Sequence, residues 1–179
     1  MQKITITDHQ GRVEPSILKQ LEDKYKITLP LLFKHFISQF NNARLFQNVF
    51  EFQLEDYGTI KRDVTFIDFT ISNIATDMDM LQQVWGNQGY FPFGETAGGD
   101  YICFDFREQL KTHELPVVNI IHDLHDDNGI PTVCTISSNF REFLNALYTT
   151  EDEAELERIS KNNISFGCDA PFDWEIPNI

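Results

Sequence analysis

The apolar residues of this chain change their period part-way along, and that change limits the fold more than any other feature. Phe33, Phe36, Ile37 and Phe40 recur at the spacing of one helix face, while Phe50, Phe52 and Leu54 alternate with Glu51, Gln53 and Glu55. The first pattern has a period near 3.6 and the second a period of two, so a helical layer is followed by a half-buried strand. An earlier helix opens at Glu14-Pro15, with Pro in the first turn, and carries Ile17, Leu18 and Leu21. The second opens at Leu29-Pro30 and ends at Asn41-Asn42; His35 falls off its apolar face and reads as a solvated histidine.

After Phe50–Glu55 comes an Asp56-Tyr57-Gly58 turn, then Val64–Phe69 as a second strand. Ser72 or Asn73 caps a helix carrying Ile74, Met78, Leu81 and Trp85, which stops at the Gly86–Gly89 stretch. Tyr90–Phe93 and Tyr101–Phe106 read as two strands joined by Gly94-Glu95-Thr96-Ala97-Gly98-Gly99-Asp100, long for a hairpin loop. On the second of them Ile102, Phe104 and Phe106 share a face opposite Tyr101, Cys103 and Asp105. Val117–Ile121 and Ile130–Ile136 are further strands around Asp126-Asp127-Asn128-Gly129, whose Asn-Gly pair favours a tight turn. Asn139 with Glu142 resembles a capping box ahead of Phe140, Phe143, Leu144 and Leu147. Hairpins with segregated helices predict an α+β fold, a mostly antiparallel sheet flanked by helices. Residues 1–150 are expected to form one domain, with the acidic Glu151–Glu157 segment and the tail to residue 179 packing on it.

Charge narrows the partners. Fourteen Lys and Arg stand against 28 Asp and Glu in 179 residues, a net charge of −14. Neutralising nucleic acid phosphates needs Lys and Arg, and an anionic membrane would repel such a surface, so direct binding to either is not expected. A basic protein partner fits, drawn in over long range; the same charge also serves plain solubility. Cys103, Cys134 and Cys168 are odd in number and widely spaced, which suits reduced thiols rather than disulfides or a zinc knuckle. With no apolar leader visible in Met1–Gln10, the expectation is a cytoplasmic protein.

The catalytic motifs are missing. There is no GxxxxGK[ST], GxSxG or HExxH, and the glycines at 94, 98 and 99 precede a strand instead of the helix N-terminus that would hold a phosphate. His122-Asp123-Leu124-His125-Asp126-Asp127 carries metal-capable groups. Read as a calcium loop with Gly129 at position six, it puts Leu124 and Thr135 where carboxylates are required. It reads as a polar turn, and neither a metal nor a cofactor is expected. Cys103, in a plain strand, is not expected to be a nucleophile.

Several stretches together resemble the SUKH superfamily, which includes the yeast cell-wall-assembly regulator and many bacterial toxin-immunity proteins. They are Leu21-Glu22, Ile27-Thr28-Leu29-Pro30, Phe33, Phe36, Ile37 and Asn41-Asn42; then Trp85, Tyr90–Gly94 and Gly98–Asp105; then Pro116-Val117-Val118 and Ser138–Leu144. Where the family usually has Asn-Gly after the second helix, this chain has Asn41-Asn42-Ala43-Arg44. The resemblance implies an antiparallel α+β fold with no catalytic residues. The family's motif residues map onto Trp85, Pro92, Gly99 and Asp100, which read as structural: Gly98-Gly99 permit backbone angles closed to other residues, Asp100 fixes the turn, and Trp85 packs over the hairpin. The resemblance further implies a non-enzymatic immunity protein that binds a cognate toxin, often a nuclease, with a regulatory adaptor as the alternative. The acidic residues Glu95, Asp100, Asp123, Asp126 and Asp127 are the candidate contacts with a basic toxin domain.

Overall fold

In the computed structural model, the structure describes residues 4–86, 89–107 and 114–150, with Phe172 and Trp174. Strand β1 (Ile6–Asp8) leads into helix α1 (Pro15–Tyr25), which buries Leu18 and Leu21 and closes on Lys26 in the left-handed conformation. Helix α2 (Leu31–Ile37) buries Leu32, Phe33, Phe36 and Ile37. The sequence predicts that α2 continues through Phe40, but it stops three residues earlier. The Val13 backbone N–H bonds the Ile37 carbonyl at 3.2 Å, and the Asn41 N–H bonds Gly11. These N-terminal contacts satisfy carbonyls and amides that another helical turn would have used. Phe40 stays buried all the same.

Asn41 and Asn42 explain the unusual turn that follows. Asn42 has φ 51°, a conformation that Asn tolerates better than most residues. The buried Asn41 side chain donates to Asp68 at 2.6 Å and accepts from the Phe69 N–H at 2.8 Å. The chain then forms β2 (Arg44–Leu45), paired with β1, neither strand being legible from its pattern.

Strand β3 (Val49–Leu54) buries Phe50 and Phe52 as the alternation requires. Its partner is β4 (Gly58–Asp63), in a register running from Val49–Asp63 to Leu54–Gly58. The sequence reading put the second strand at Val64–Phe69 instead. Only Thr65–Phe66 (β5) is strand there, and it pairs with Glu95 and Gly94. The error has a physical source. Gly58–Asp63 has one aliphatic residue and no apolar alternation, whereas Val64, Phe66, Ile67 and Phe69 are buried without forming a long ladder.

Helix α3 (Ile71–Trp85) is capped by Thr70, whose hydroxyl accepts from the Asn73 N–H at 3.2 Å. That corrects the expected caps, Ser72 and Asn73, which lie inside the first turn. The Asn73 side chain reaches back to Asp68. Strands β6 (Tyr90–Glu95), β7 (Tyr101–Asp105), β8 (Val117–His125) and β9 (Pro131–Ser137) complete an antiparallel five-stranded sheet in the order β5-β6-β7-β8-β9. Pro92 sits within an interior strand because β5 reaches only Gly94 and Glu95, so no neighbour requires a proton from Pro92 on that side. Helix α4 (Phe140–Ala146) is capped by the Asn139 side chain, which accepts from the Glu142 N–H at 2.9 Å. The box is half formed, since the Glu142 carboxylate takes the Ser138 hydroxyl.

The α+β architecture follows from the two faces of the sheet. Ile102, Phe104, Val117 and Ile121 point into the main core under α1, α2 and α4. Cys103, Val118 and Ile120 point the other way, against Leu81 of α3. Phe33 stands at the centre of the main core, with ring centroids 4.9–5.5 Å from Phe69, Phe93, Phe104 and Phe140. Phe172 is buried against Phe36, at 5.2 Å, and against His35, at 5.6 Å. His35 is therefore half-buried beside a ring and bonded to Gln39, in place of the solvated histidine predicted. The Glu151–Glu157 segment, Cys168 and the Trp85 side chain lie outside the described residues.

Candidate functional site

Both loops that carry the predicted contacts emerge at one end of the sheet. Glu95 pairs with Tyr101 and Tyr101 with Ile120, so β6 ends, β7 begins and β8 runs outward at the same level. Strand β8 then extends past its neighbour to His125 before turning into β9. The sequence left the relative placement of the loops open; the register settles it.

The β6–β7 loop folds around Thr96 and Asp100. The Thr96 N–H bonds the Asp100 carbonyl at 2.9 Å, the Gly99 N–H bonds the Thr96 carbonyl at 3.0 Å, and the Asp100 N–H bonds the Thr96 hydroxyl at 3.1 Å. Ala97 donates to Asp63 of β4. Gly99 has φ 88° with its α-carbon beside the His122 ring, whereas Gly98 adopts no positive φ; the need for glycine that the sequence assigned to both rests on Gly99 alone.

Asp100 is 2% exposed. One carboxylate oxygen accepts from the His122 N–H at 3.1 Å and meets His122 Nδ1 at 3.0 Å; the other accepts from Arg62 Nε at 3.3 Å. Burial alone would push this carboxyl up. The bonds from the His122 ring, the His122 N–H and Arg62, with the Asn119 amide close by, outweigh it and hold the group below its ordinary value. Asp100 thereby ties three elements together: β4 through Arg62, the β6–β7 loop, and β8.

The other predicted contacts are on the outside. Glu95, Asp123, Asp126 and Asp127 are exposed. Asp126 accepts from the N–H groups of Asn128 at 2.9 Å and Ile130 at 2.8 Å, and so shapes the β8–β9 turn while facing solvent. Ile130 stands beside it, largely exposed. On the α3 side of the same end, Tyr101 donates its hydroxyl to Asp77 at 3.1 Å. Burial raises the Asp77 carboxyl, and burial together with the Asp77 charge raises that of Glu95.

Three residues of this region escaped the sequence reading. Arg62 lay in an unrecognised strand, and Asp77 on a helix read only for its apolar face. Asn119 did leave a signal, as the one polar residue in the run Val117–Ile121. It is fully buried, and neither end of its carboxamide reaches hydrogen-bond geometry with a described residue.

Among the described residues, Cys103 gives nucleophilic chemistry no support. Cys103 is wholly buried, and burial raises its thiol well above the ordinary range, opposite to what an attacking thiolate needs. No helix among the described residues is long and apolar enough to cross a membrane.

The domain is thus antiparallel α+β and shows solvent a rim of carboxylates on a hydrogen-bonded loop frame. The sequence profile of the SMI1 / KNR4 family (SUKH-1) matches residues 13–146, and the chain belongs to that family. The match takes in α1 through α4, leaving β1 and the acidic segment outside it. No curated protein matches the chain.

Proposed function

We propose that this chain is a non-enzymatic immunity protein that neutralises a cognate bacterial toxin by direct association, the partner being a basic domain of the nuclease kind. The observation that carries the reading is the convergence of two acidic loops at one end of the sheet in a family member with a net charge of −14. Glu95, Asp123, Asp126 and Asp127 are the contacting carboxylates. Asp100, enclosed by Arg62 and His122, holds the loops in register from within. Blocking a basic active cleft needs only a complementary surface of sufficient area, and no reactive group is called for.

The test is co-expression with the product of the neighbouring gene, followed by size-exclusion chromatography and host survival. A stable complex with restored growth supports the proposal. No complex and no rescue overturn it, and the remaining reading is then an adaptor for an endogenous protein.

A further inference from the structure

The five-stranded sheet ends on β9, whose outer side is open. Strand β9 stands last in the order β5-β6-β7-β8-β9, and no described residue outside β8 shares a backbone hydrogen bond with Pro131–Ser137. Every second residue of such a strand turns its N–H and C=O away from the sheet, and edges of this kind are ordinarily guarded by charged side chains, proline or a bulge. Here the guards stand only at the ends, Pro131 at the first position and a bulge at Ile136. Between them Thr132–Thr135 pairs without interruption with Val118–Ile121 and carries no charge. Ile130, 49% exposed, adds apolar surface at the approach to this edge.

Charge decides what can lie there. Asp126 and Asp127 are exposed just before β9. Glu142, which takes the Ser138 hydroxyl, and Glu114, which takes the Asn139 amide, are exposed just after it. A second copy paired antiparallel across β9 would set Asp126 and Asp127 against Glu142, and a parallel one would set each carboxylate near its own counterpart. Like charges so placed are destabilising, and each chain brings a net charge of −14.

On the reading of the partner as a basic toxin domain, on which this inference rests, we propose that β9 is a strand-addition edge for that partner. Its occupant is an extended segment, uncharged at the centre and carrying Lys or Arg at both ends. Main-chain bonds along Thr132–Thr135, a length of about 13 Å, supply affinity, and alternate side chains beside Val133 and Thr135 supply specificity. The basic ends meet Asp126 and Asp127 on one side and Glu114 and Glu142 on the other.

The experiment is amide hydrogen exchange, resolved by residue with NMR, on the full-length chain alone and in complex with the co-expressed product of the neighbouring gene. In the free chain the outward amides of Thr132–Thr135 should exchange about tenfold or more faster than the inward ones, and the complex should slow them by about the same factor. Thr135→Lys, at an exposed position, should weaken the complex by about tenfold or more, with circular dichroism and melting to show that the fold is kept. Outward amides that stay fast in a complex that does form, or a complex indifferent to Thr135→Lys, would overturn strand addition and leave the immunity function standing. Absence of any complex overturns both. A free chain that sediments as a dimer with these amides already slow puts a second copy on the edge and overturns the assignment to a basic partner.

Discussion

The two carboxylate oxygens of Asp100 face different parts of the chain, and the surrounding geometry makes separable predictions. Asp100→Asn weakens the bonds to Arg62 and to the His122 N–H; hydrogen bonds to a charged group contribute about 1.5–3 kcal/mol, and urea unfolding at pH 7 should show a loss in that range. The pH dependence has two opposing parts. Asp100 is depressed in the folded state, so its contribution is present above the unfolded value, near 3.9, and is lost as pH falls through the folded one. Asp77 and Glu95 are raised, so they oppose folding at neutral pH, and that opposition fades as pH falls through their folded values. Stability should therefore rise on mild acidification and fall below about pH 4. Asp77→Asn should flatten the rise, and Asp100→Asn the fall. The neighbouring glycines give a sharper contrast. A Cβ at Gly99 would meet only ordinary contact with the His122 ring, at 3.7 Å, so the cost of Gly99→Ala comes from its φ of 88°, about 1–2 kcal/mol. Gly98→Ala, with no such angle, should change the melting temperature little.

Among the elements, α3 and the β3–β4 hairpin separate what sequence patterns can specify from what they cannot. Thr70→Ala should lower stability by about 1 kcal/mol, since it removes the one side-chain cap of α3, while the same change at Ser72 should cost less. The sequence named the wrong cap because Thr70, Ser72 and Asn73 all have capping chemistry, and only the path from β5 decides which of them precedes the first turn. Helices α1, α2 and α4, strands β3 and β7, and the hairpin β8–β9 were legible because each places its apolar residues at the period of its own backbone. Strand β4 was not. Its own residues are mostly polar, with Lys61 facing Glu51 at 3.2 Å, and such a strand has no apolar alternation to read. The same limit hid half of the site. Glu95, Asp123, Asp126 and Asp127 could be picked out as acidic loop residues. The enclosure of Asp100 by Arg62 depended on a strand the pattern did not reveal and on a pairing 38 residues away in sequence.

For the whole molecule, charge and core act at different ranges. Carboxylates at the loop end should speed encounter with a basic partner. As ionic strength rises from 0.01 to 0.15 M the screening length falls from about 30 to about 8 Å, and association should slow by about tenfold or more. Surface plasmon resonance over a salt series reads this directly; an association rate indifferent to salt would remove the electrostatic part of the proposal. Phe33, in contact with four aromatic rings, belongs to the stability of the entire fold, and Phe33→Ala should cost about 3–5 kcal/mol without altering the surface charge. The rim and its frame are carried by different residues within the same few positions: Glu95, Ala97, Asp123 and Asp127 look outward, while Thr96, Asp100 and Asn119 look inward. Such a division uncouples heredity of shape from heredity of preference. Outward positions are open to drift or laboratory randomisation toward a new target, and the descendants inherit an unchanged backbone on which to display it.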